Sequence, residues 1–281
     1  MNSRLATLAA LLTAAAIPAS AAPGVTSASQ VRGIEVASLS VLPKAPADAG
    51  DRALCDHLLR PAETSAGKNV EALGWGVTGE VPLGPYQAVS FVGGYAAGTS
   101  GTCELTNGNV GIFAGDKLIA LAYAPEGSPL SIGSIAAFGA GGLRIWDGDI
   151  LPTPVADMRA IGGSGVAVTP MATEEPVCGG AATVPFVYGL PIGMARDLLA
   201  EAGWQPADQT ASGTQSPGQA QDLAAAGLVE VEDCSGTGFA FCRFAYAGLT
   251  GALSVTTAGE MTEDGDLPFV VGYGATCHGA P

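Results

Sequence analysis

The amino-acid sequence predicts a mainly β protein that ends in an α+β region, and three observations support this prediction. Glycine contributes 41 and proline 19 of the 281 residues, a share that suits turn-rich β structure better than helix bundles. Short segments with a period of two, separated by turn signals, follow residue 74. Two helical patterns and four strand patterns then occupy the last third of the chain, the order expected of an α+β domain with its helices on one sheet face.

Composition and charge narrow the classes of partner. Apolar residues make up 48% of the chain and charged residues 13%, which excludes a charge-driven disordered chain and leaves ample material for a core. Eleven basic and 26 acidic residues give a formal net charge of −15. Because nucleic-acid binding requires a basic face, no nucleic-acid partner is expected. The acidic surface either attracts a basic partner or keeps an exported protein in solution.

The first 21 residues have the pattern of a secretory signal peptide. Arg4 supplies the positive start, an uncharged run extends from Leu5 to Ile17, and small residues at Ala19 and Ala21 predict cleavage after Ala21. The apolar run is shorter than the roughly 20 residues that span a bilayer, which disfavours the alternative of a membrane anchor. We therefore expect a periplasmic or secreted protein that is not an integral membrane protein.

Six cysteines remain after the predicted cleavage, and an even number in an exported chain predicts up to three disulfides. They are Cys55, Cys103, Cys178, Cys234, Cys242 and Cys277. Sequence does not fix their connectivity. The pairing we favour joins Cys234 with Cys242 across one short loop, Cys55 with Cys103, and Cys178 with Cys277.

Metal binding is the alternative use of these cysteines. Both histidines of the chain stand beside one, in Cys55-Asp56-His57 and in Cys277-His278. Neither run has the spacing that zinc sites usually show. We therefore expect no metal and no cofactor.

The elements of the first half are predicted from caps and turns. Residues 22–50 lack periodicity and are expected to form a flexible arm. Asp51 is expected to cap a helix that ends at Leu59, and a second helix is expected over 65–73. Tight turns at Asn107-Gly108 and Gly115-Asp116 predict an antiparallel meander of three consecutive strands. Further strands are expected at 143–146 and 165–169.

A polar stretch over 171–185 separates two predicted domains, a β-rich domain over 51–180 and an α+β domain over 183–278. In the second, a helix from Ile192 to Ala202 is closed by Gly203. A further helix, capped by Ser216-Pro217, is closed by Gly227. The four expected strands are 228–234, 239–247, 252–258 and 269–277.

This second region resembles the small α+β domain of β-lactamase inhibitory proteins and of outer-membrane assembly lipoproteins. The resemblance covers about residues 186–277 and rests on the order of helices and strands, with Gly193-Met194 opening the first helix and Ala202-Gly203-Trp204 closing it. Those families bind other proteins and catalyse nothing, so the resemblance implies an interaction role. The lipoprotein cysteine is missing here, and no functional residue is carried over.

Catalytic motifs are missing or incomplete. The sequence has no Gly-x-Ser-x-Gly elbow, no phosphate-binding loop, no dinucleotide fingerprint and no His-Glu-x-x-His helix. The weak catalytic candidates are His57, as a general base, and Glu230 with Glu232, whose side chains would share one strand face about 7 Å apart. A surface histidine and a solvated sheet face explain these residues better. Asp147-Gly148-Asp149 and Asp264-Gly265-Asp266 resemble fragments of calcium loops, although turn chemistry accounts for both.

Trp204 is the candidate interface residue, because exposed aromatic side chains dominate binding hot spots. Packing over the end of the preceding helix is the alternative role for this residue. Taken with the absence of catalytic motifs, the sequence favours an exported, disulfide-stabilised, non-catalytic protein-binding or inhibitor-like module, whose partner is a protein or an envelope component. The alternatives are a hydrolase of unfamiliar type and a structural protein of the envelope.

Overall fold

The computed structural model describes residues 26–162, 165–210, 218–236 and 238–279. It confirms the predicted fold class, which is mainly β with an α+β region. The predicted signal peptide lies outside the described residues. Within the described part of the chain, no helix combines the length and apolar character needed to cross a membrane.

Two five-stranded sheets build the first half of the chain. Sheet I contains β1 (Thr26–Ser29), β9 (Ser134–Phe138), β10 (Gly142–Trp146), β11 (Pro154–Ile161) and β12 (Gly165–Thr169). Their spatial order is β1-β12-β11-β10-β9. Sheet II contains β2 (Glu35–Ala37), β3 (Gly76–Leu83), β4 (Tyr86–Val92), β7 (Asn109–Ala114) and β8 (Lys117–Tyr123). Its order is β2-β8-β7-β4-β3.

Sheets I and II pack against each other and enclose one hydrophobic core; we call residues 26–169 the sandwich. Along most of these strands, alternate residues face this core, as the period-two pattern predicts. Among those without exposed surface are Leu83 and Ile112 of sheet II and Leu143, Ile145 and Met158 of sheet I. The outward-facing side chain between Leu143 and Ile145 belongs to Arg144, which becomes important below.

Two strands lie within residues 22–50, the segment that the sequence predicts to be a flexible arm. Strand β1 pairs in parallel with β12, and β2 pairs with β8. Between the two strands, Ile34 is 2% exposed and lies in the sandwich core. Burial of Ile34 and pairing at two sheet edges hold a segment whose own sequence lacks periodicity.

The predicted meander is correct at one of its two turns. Gly115 has a φ of 64° and joins β7 to β8 as a hairpin. At the other turn, Asn107 has a φ of 53°, but the strands on either side enter different sheets. Strand β6 (Cys103–Thr106) pairs with β5 (Gly94–Ala97), whereas β7 pairs with β4 and β8. Any Cβ on Gly108 would lie 1.5 Å from the Ile132 carbonyl oxygen, so this glycine marks a corner where two chain segments meet.

Two short helices pack on the sandwich: α1 (Ser65–Ala72) lies against β3 and β4 of sheet II, and a 3-10 helix lies against β5 and β6. The predicted helix after Asp51 is a 3-10 helix, Arg52–Leu58, and the Asp51 carboxylate accepts a hydrogen bond from the Ala53 amide. Helix α1 is capped by Thr64 and packs Val70 with Trp75 and Phe91 in a second buried cluster.

The second half contains sheet III and two helices, and we call residues 174–278 the α+β unit. Sheet III consists of β15 (Gln205–Pro206), β16 (Val231–Cys234), β17 (Cys242–Gly248), β18 (Gly251–Ala258) and β19 (Phe269–Cys277). Helices α2 (Ile192–Glu201) and α3 (Gln219–Ala225) pack their buried faces into one core with these strands. A two-stranded sheet of β13 (Glu174–Val177) and β14 (Ala182–Pro185) adjoins them.

Both helices of the α+β unit end as predicted. Gly203 and Gly227 have φ values of 92° and 97°, the left-handed conformation that glycine adopts readily after a helix. Ser216 and Pro217, the predicted caps of the second helix, lie outside the described residues.

Three disulfides join the pairs that the sequence analysis favours. Cys55 is bonded to Cys103, Cys178 to Cys277, and Cys234 to Cys242. The first lies in the sandwich, and the other two lie in the α+β unit. No described cysteine is free.

Candidate functional site

The connection between β16 and β17 is a short loop that is closed twice at its base. Cys234 and Cys242 face each other across the two strands and form a disulfide. One step further into the loop, the Ser235 amide donates a 2.7 Å hydrogen bond to the Phe241 carbonyl oxygen. The loop therefore has fewer conformations than an open connection of the same length.

This loop carries two aromatic side chains at the surface. Phe239 is half-buried, Phe241 is 37% exposed, and their ring centroids are 5.7 Å apart. Ala240 between them is 8% exposed. Burial of Ala240 thus places both phenylalanines on the outer side of the loop.

A third phenylalanine extends this surface from the neighbouring strands. The Gly259 amide donates a 2.8 Å hydrogen bond to the Phe239 carbonyl oxygen. A Cβ placed on Gly259 would lie 3.7 Å from the ring of Phe269, which is 40% exposed. Gly259 therefore connects the loop to the start of β19. We call Phe239, Phe241 and Phe269 the aromatic patch.

An acidic segment leaves the sheet beside this patch. Residues 260–266, which we call the acidic turn, connect Gly259 to the strand that begins at Phe269. The acidic turn is closed by a hydrogen bond from the Thr262 amide to the Asp266 carbonyl oxygen, and Gly265 has a φ of 88°. Its four carboxylate residues are exposed: Glu260, Glu263, Asp264 and Asp266. The predicted turn chemistry at 264–266 agrees with this geometry.

The C-terminal part of the chain, residues 182–281, is acidic, and both of its arginines form ion pairs. Residues 182–281 contain eleven acidic side chains and two basic ones. Arg196 Nε lies 3.2 Å from Glu230 Oε1, and Arg243 pairs with Glu232. No ion pair among the described residues involves the acidic turn.

The structure separates the two carboxylates that the sequence places on one solvated strand face. Glu230 lies just before β16 and has no exposed surface, so the expectation of solvation is wrong for this residue. Its Oε1 accepts a 3.2 Å hydrogen bond from the Tyr246 hydroxyl, and its Oε2 has no partner in the described chain. Burial, assisted by the Glu230 charge, raises the pKa of Tyr246. Glu232, by contrast, is half-exposed on the sheet surface with Arg243.

The remaining catalytic and metal candidates are dispersed. His57 is exposed on the 3-10 helix of the sandwich and is far along the chain from Glu230, which lies in the α+β unit. The cysteines next to both histidines are oxidised in disulfides. Among the described residues, no group of three or more His, Cys, Asp or Glu side chains is arranged to hold a metal ion.

The proposal that Trp204 is an exposed interface residue is wrong. Trp204 is 1% exposed, and its Nε1 donates a 2.8 Å hydrogen bond to the Thr183 carbonyl oxygen. Its ring packs so closely against Gly248 that a Cβ there would lie 2.8 Å away. The residue after the helix folds back into the core, as the alternative interpretation expects.

A buried polar cluster joins the sandwich to the α+β unit. Arg144 Nε donates a 2.8 Å hydrogen bond to Asp157 Oδ1, and the same guanidinium lies 3.3 Å from Glu175 Oε2. Glu175 also accepts a 2.7 Å hydrogen bond from the Tyr273 hydroxyl. The Arg144 guanidinium carbon is 3.8 Å from the centroid of the Phe138 ring, within the range of a cation–π contact. We call these five residues the junction cluster.

Aromatic rings complete this junction. Tyr188 lies between Trp146 and Tyr273, with ring centroids 5.2 and 4.9 Å apart. Burial, followed by the Glu175 charge, raises the pKa of Tyr188 to about 12. Burial also raises the pKa of Tyr273. The sequence contains no local signal for this site, since its members come from five separate strands and from the segment before α2.

A groove of about 560 Å³ lies between β3 and β9 in the sandwich. Its titratable residues are Arg60, Glu63 and Glu80. The Glu80 carboxylate is already occupied, because it accepts hydrogen bonds from the amides of Glu63 and Thr64. The groove therefore presents no free carboxylate pair for acid–base chemistry.

Comparison of the chain with protein-family models, with curated proteins and with solved structures finds no match. The sequence analysis did not predict the aromatic patch. A signal for part of it is present, because the aromatic pair in Phe239-Ala240-Phe241 stands directly before Cys242, at the base of the predicted disulfide loop.

Proposed function

We propose that the chain is an exported, disulfide-stabilised, non-catalytic protein-binding module of an inhibitor-like kind. The observation that carries this proposal is the aromatic patch, two of whose three phenylalanines lie on a loop closed by Cys234–Cys242. Aromatic side chains are enriched at the centres of protein interfaces. A loop whose two ends are held together has less conformational entropy to lose on binding than an open one.

Export is the second part of the proposal. Three disulfides suit an oxidising compartment, and the signal-like pattern over residues 1–21 supplies a route to it. The partner is accordingly a protein of the same compartment, either free or attached to the envelope.

The test compares two variants of the oxidised chain that lacks residues 1–21. One variant carries Phe239→Ser and Phe241→Ser. The control carries Leu249→Ser, because Leu249 is 100% exposed at the tip between β17 and β18, about 20 Å from the patch along the strands. Each protein serves as bait for periplasmic and secreted extracts, and a captured protein is then purified and titrated by calorimetry.

We expect the wild type and the Leu249→Ser control to bind the same purified partner. The double phenylalanine variant should bind at least about 30-fold more weakly, the effect of losing one hot spot of about 2 kcal/mol. Equal affinity of all three proteins would contradict the proposal. Sedimentation with envelope fractions that does not depend on the phenylalanines would favour the structural alternative instead.

A further inference from the structure

The aromatic patch belongs to a part of the chain in which negative charges far outnumber positive ones. Residues 182–281 carry a formal charge of −9 within the total of −15. Their two arginines pair with Glu230 and Glu232, although the Arg243 side chain is 62% exposed. Because eleven acidic side chains stand against these two arginines, carboxylates dominate the local potential.

The acidic turn contains the carboxylates that lie beside the aromatic patch. Its first residue follows Gly259, which donates its amide to Phe239, and its chain returns to the sheet at Phe269. The four exposed carboxylates of residues 260–266 thus form a polar rim beside an apolar centre. Protein interfaces commonly have this arrangement.

We propose that the patch binds a basic polypeptide surface, with an apolar contact for the phenylalanines and lysine or arginine side chains facing the acidic turn. This inference rests on the proposed function and specifies the partner. A second copy of the chain is a poor occupant, because it would bring two acidic turns together and like charges repel. Anionic lipid and nucleic acid are disfavoured for the same reason.

Charge complementarity of this kind acts mainly on the rate of association. Opposite potentials raise association rate constants from about 10⁵–10⁶ M⁻¹s⁻¹ towards about 10⁸ M⁻¹s⁻¹ at low salt. Salt screens the attraction, since the Debye length is about 8 Å at physiological ionic strength. The apolar contact should be much less sensitive to salt.

The probe for the test is a labelled amphipathic peptide composed of lysine and leucine, compared with a twin in which glutamate replaces every lysine. Binding to the oxidised mature chain is followed by fluorescence anisotropy at low and at physiological salt. One variant removes charge from the acidic turn with Glu263→Gln, Asp264→Asn and Asp266→Asn. The matched control removes the same charge from the sandwich with Glu104→Gln, Asp116→Asn and Glu126→Gln, all at exposed positions.

We expect the acidic-turn variant to bind the lysine peptide about five- to tenfold more weakly, and mainly through slower association. The sandwich control should change affinity less than twofold, and the glutamate peptide should not bind. Circular dichroism checks that both variants are folded. Equal losses in the two charge variants would overturn the inference, because they would indicate a general effect of net charge.

The phenylalanine variant distinguishes this inference from the function on which it rests. If Phe239→Ser with Phe241→Ser abolishes binding of the purified partner while the acidic-turn variant binds that partner as the wild type does, the patch is an interface but basic side chains of the partner do not face the acidic turn. If the phenylalanine variant binds both the peptide and the purified partner normally, the proposed function fails as well.

Discussion

Arg144 Nε lies 2.8 Å from Asp157 Oδ1, although the two side chains are only 3% and 1% exposed. The residues face each other across β10 and β11 on the outer side of sheet I. Desolvation of both charges is costly, and their attraction offsets that cost only while both are present. The α+β unit removes the pair from water, because Glu175 and Tyr273 complete the junction cluster.

Arg144→Met should therefore be strongly destabilising. It leaves the Asp157 carboxylate buried with the Ala172 amide as its hydrogen-bond donor, which should lower the free energy of unfolding by about 3–5 kcal/mol. Urea denaturation followed by circular dichroism measures this loss. The double variant Arg144→Met with Asp157→Leu should regain part of it, since no buried charge remains unpaired. A double variant as unstable as the single one would contradict the explanation.

The junction tyrosines should make stability fall at alkaline pH. The pKa of Tyr188 is raised to about 12 by burial and by the Glu175 charge, whereas an unfolded tyrosine titrates near about 10. Stability contributed by the neutral hydroxyl is complete below pH 10 and is lost as pH rises through 12, at about 1.4 kcal/mol per pH unit for one group. Unfolding free energies of Tyr188→Phe should therefore decline less steeply over this interval than those of the wild type. Identical slopes would show that Tyr188 does not contribute.

Glu230 and Glu232 should respond very differently to the same substitution. Glu230→Ala leaves the buried Tyr246 hydroxyl without its acceptor and Arg196 without its carboxylate, at a cost of about 2–4 kcal/mol. Glu232→Ala removes a partly exposed ion pair with Arg243 and should cost at most about 1 kcal/mol. Thermal unfolding of both variants checks the difference. Similar costs would contradict this distinction between a buried carboxylate and a surface one.

Local chemistry made several elements predictable from the sequence. Gly203 and Gly227 end helices because a left-handed residue is needed there. Asp51 caps a helical turn because its carboxylate satisfies the Ala53 amide. The disulfide pairing was predictable only in part, because a short loop favours Cys234 with Cys242 but the sequence does not fix how the other cysteines pair.

Features that depend on long-range packing were not predictable in the same way. Asn107-Gly108 has the sequence of a hairpin turn, but contact with Ile132 makes it a corner between sheets. Residues 26–29 become a strand only because β12 offers an edge far away in sequence. Arg144 and Glu175 meet through tertiary structure alone. Two residues of the aromatic patch, Phe239 and Phe241, form a motif before Cys242 that is visible in the sequence. The third, Phe269, comes close to them only through the pairing of β18 with β19.

The division into domains should fall before Glu174, earlier than the sequence places it. Strand β13 pairs with β14, Val184 of β14 lies in the core of the α+β unit, and Cys178 is bonded to Cys277. A fragment of residues 173–279 should therefore fold alone, with cooperative thermal unfolding and both of its disulfides formed. A fragment of residues 183–279 with Cys277→Ser lacks β13 and one disulfide, which closes a loop with a sequence separation of 99. It should be less stable by about 4–5 kcal/mol. If only the shorter fragment unfolds cooperatively, the segment 173–182 belongs to the sandwich.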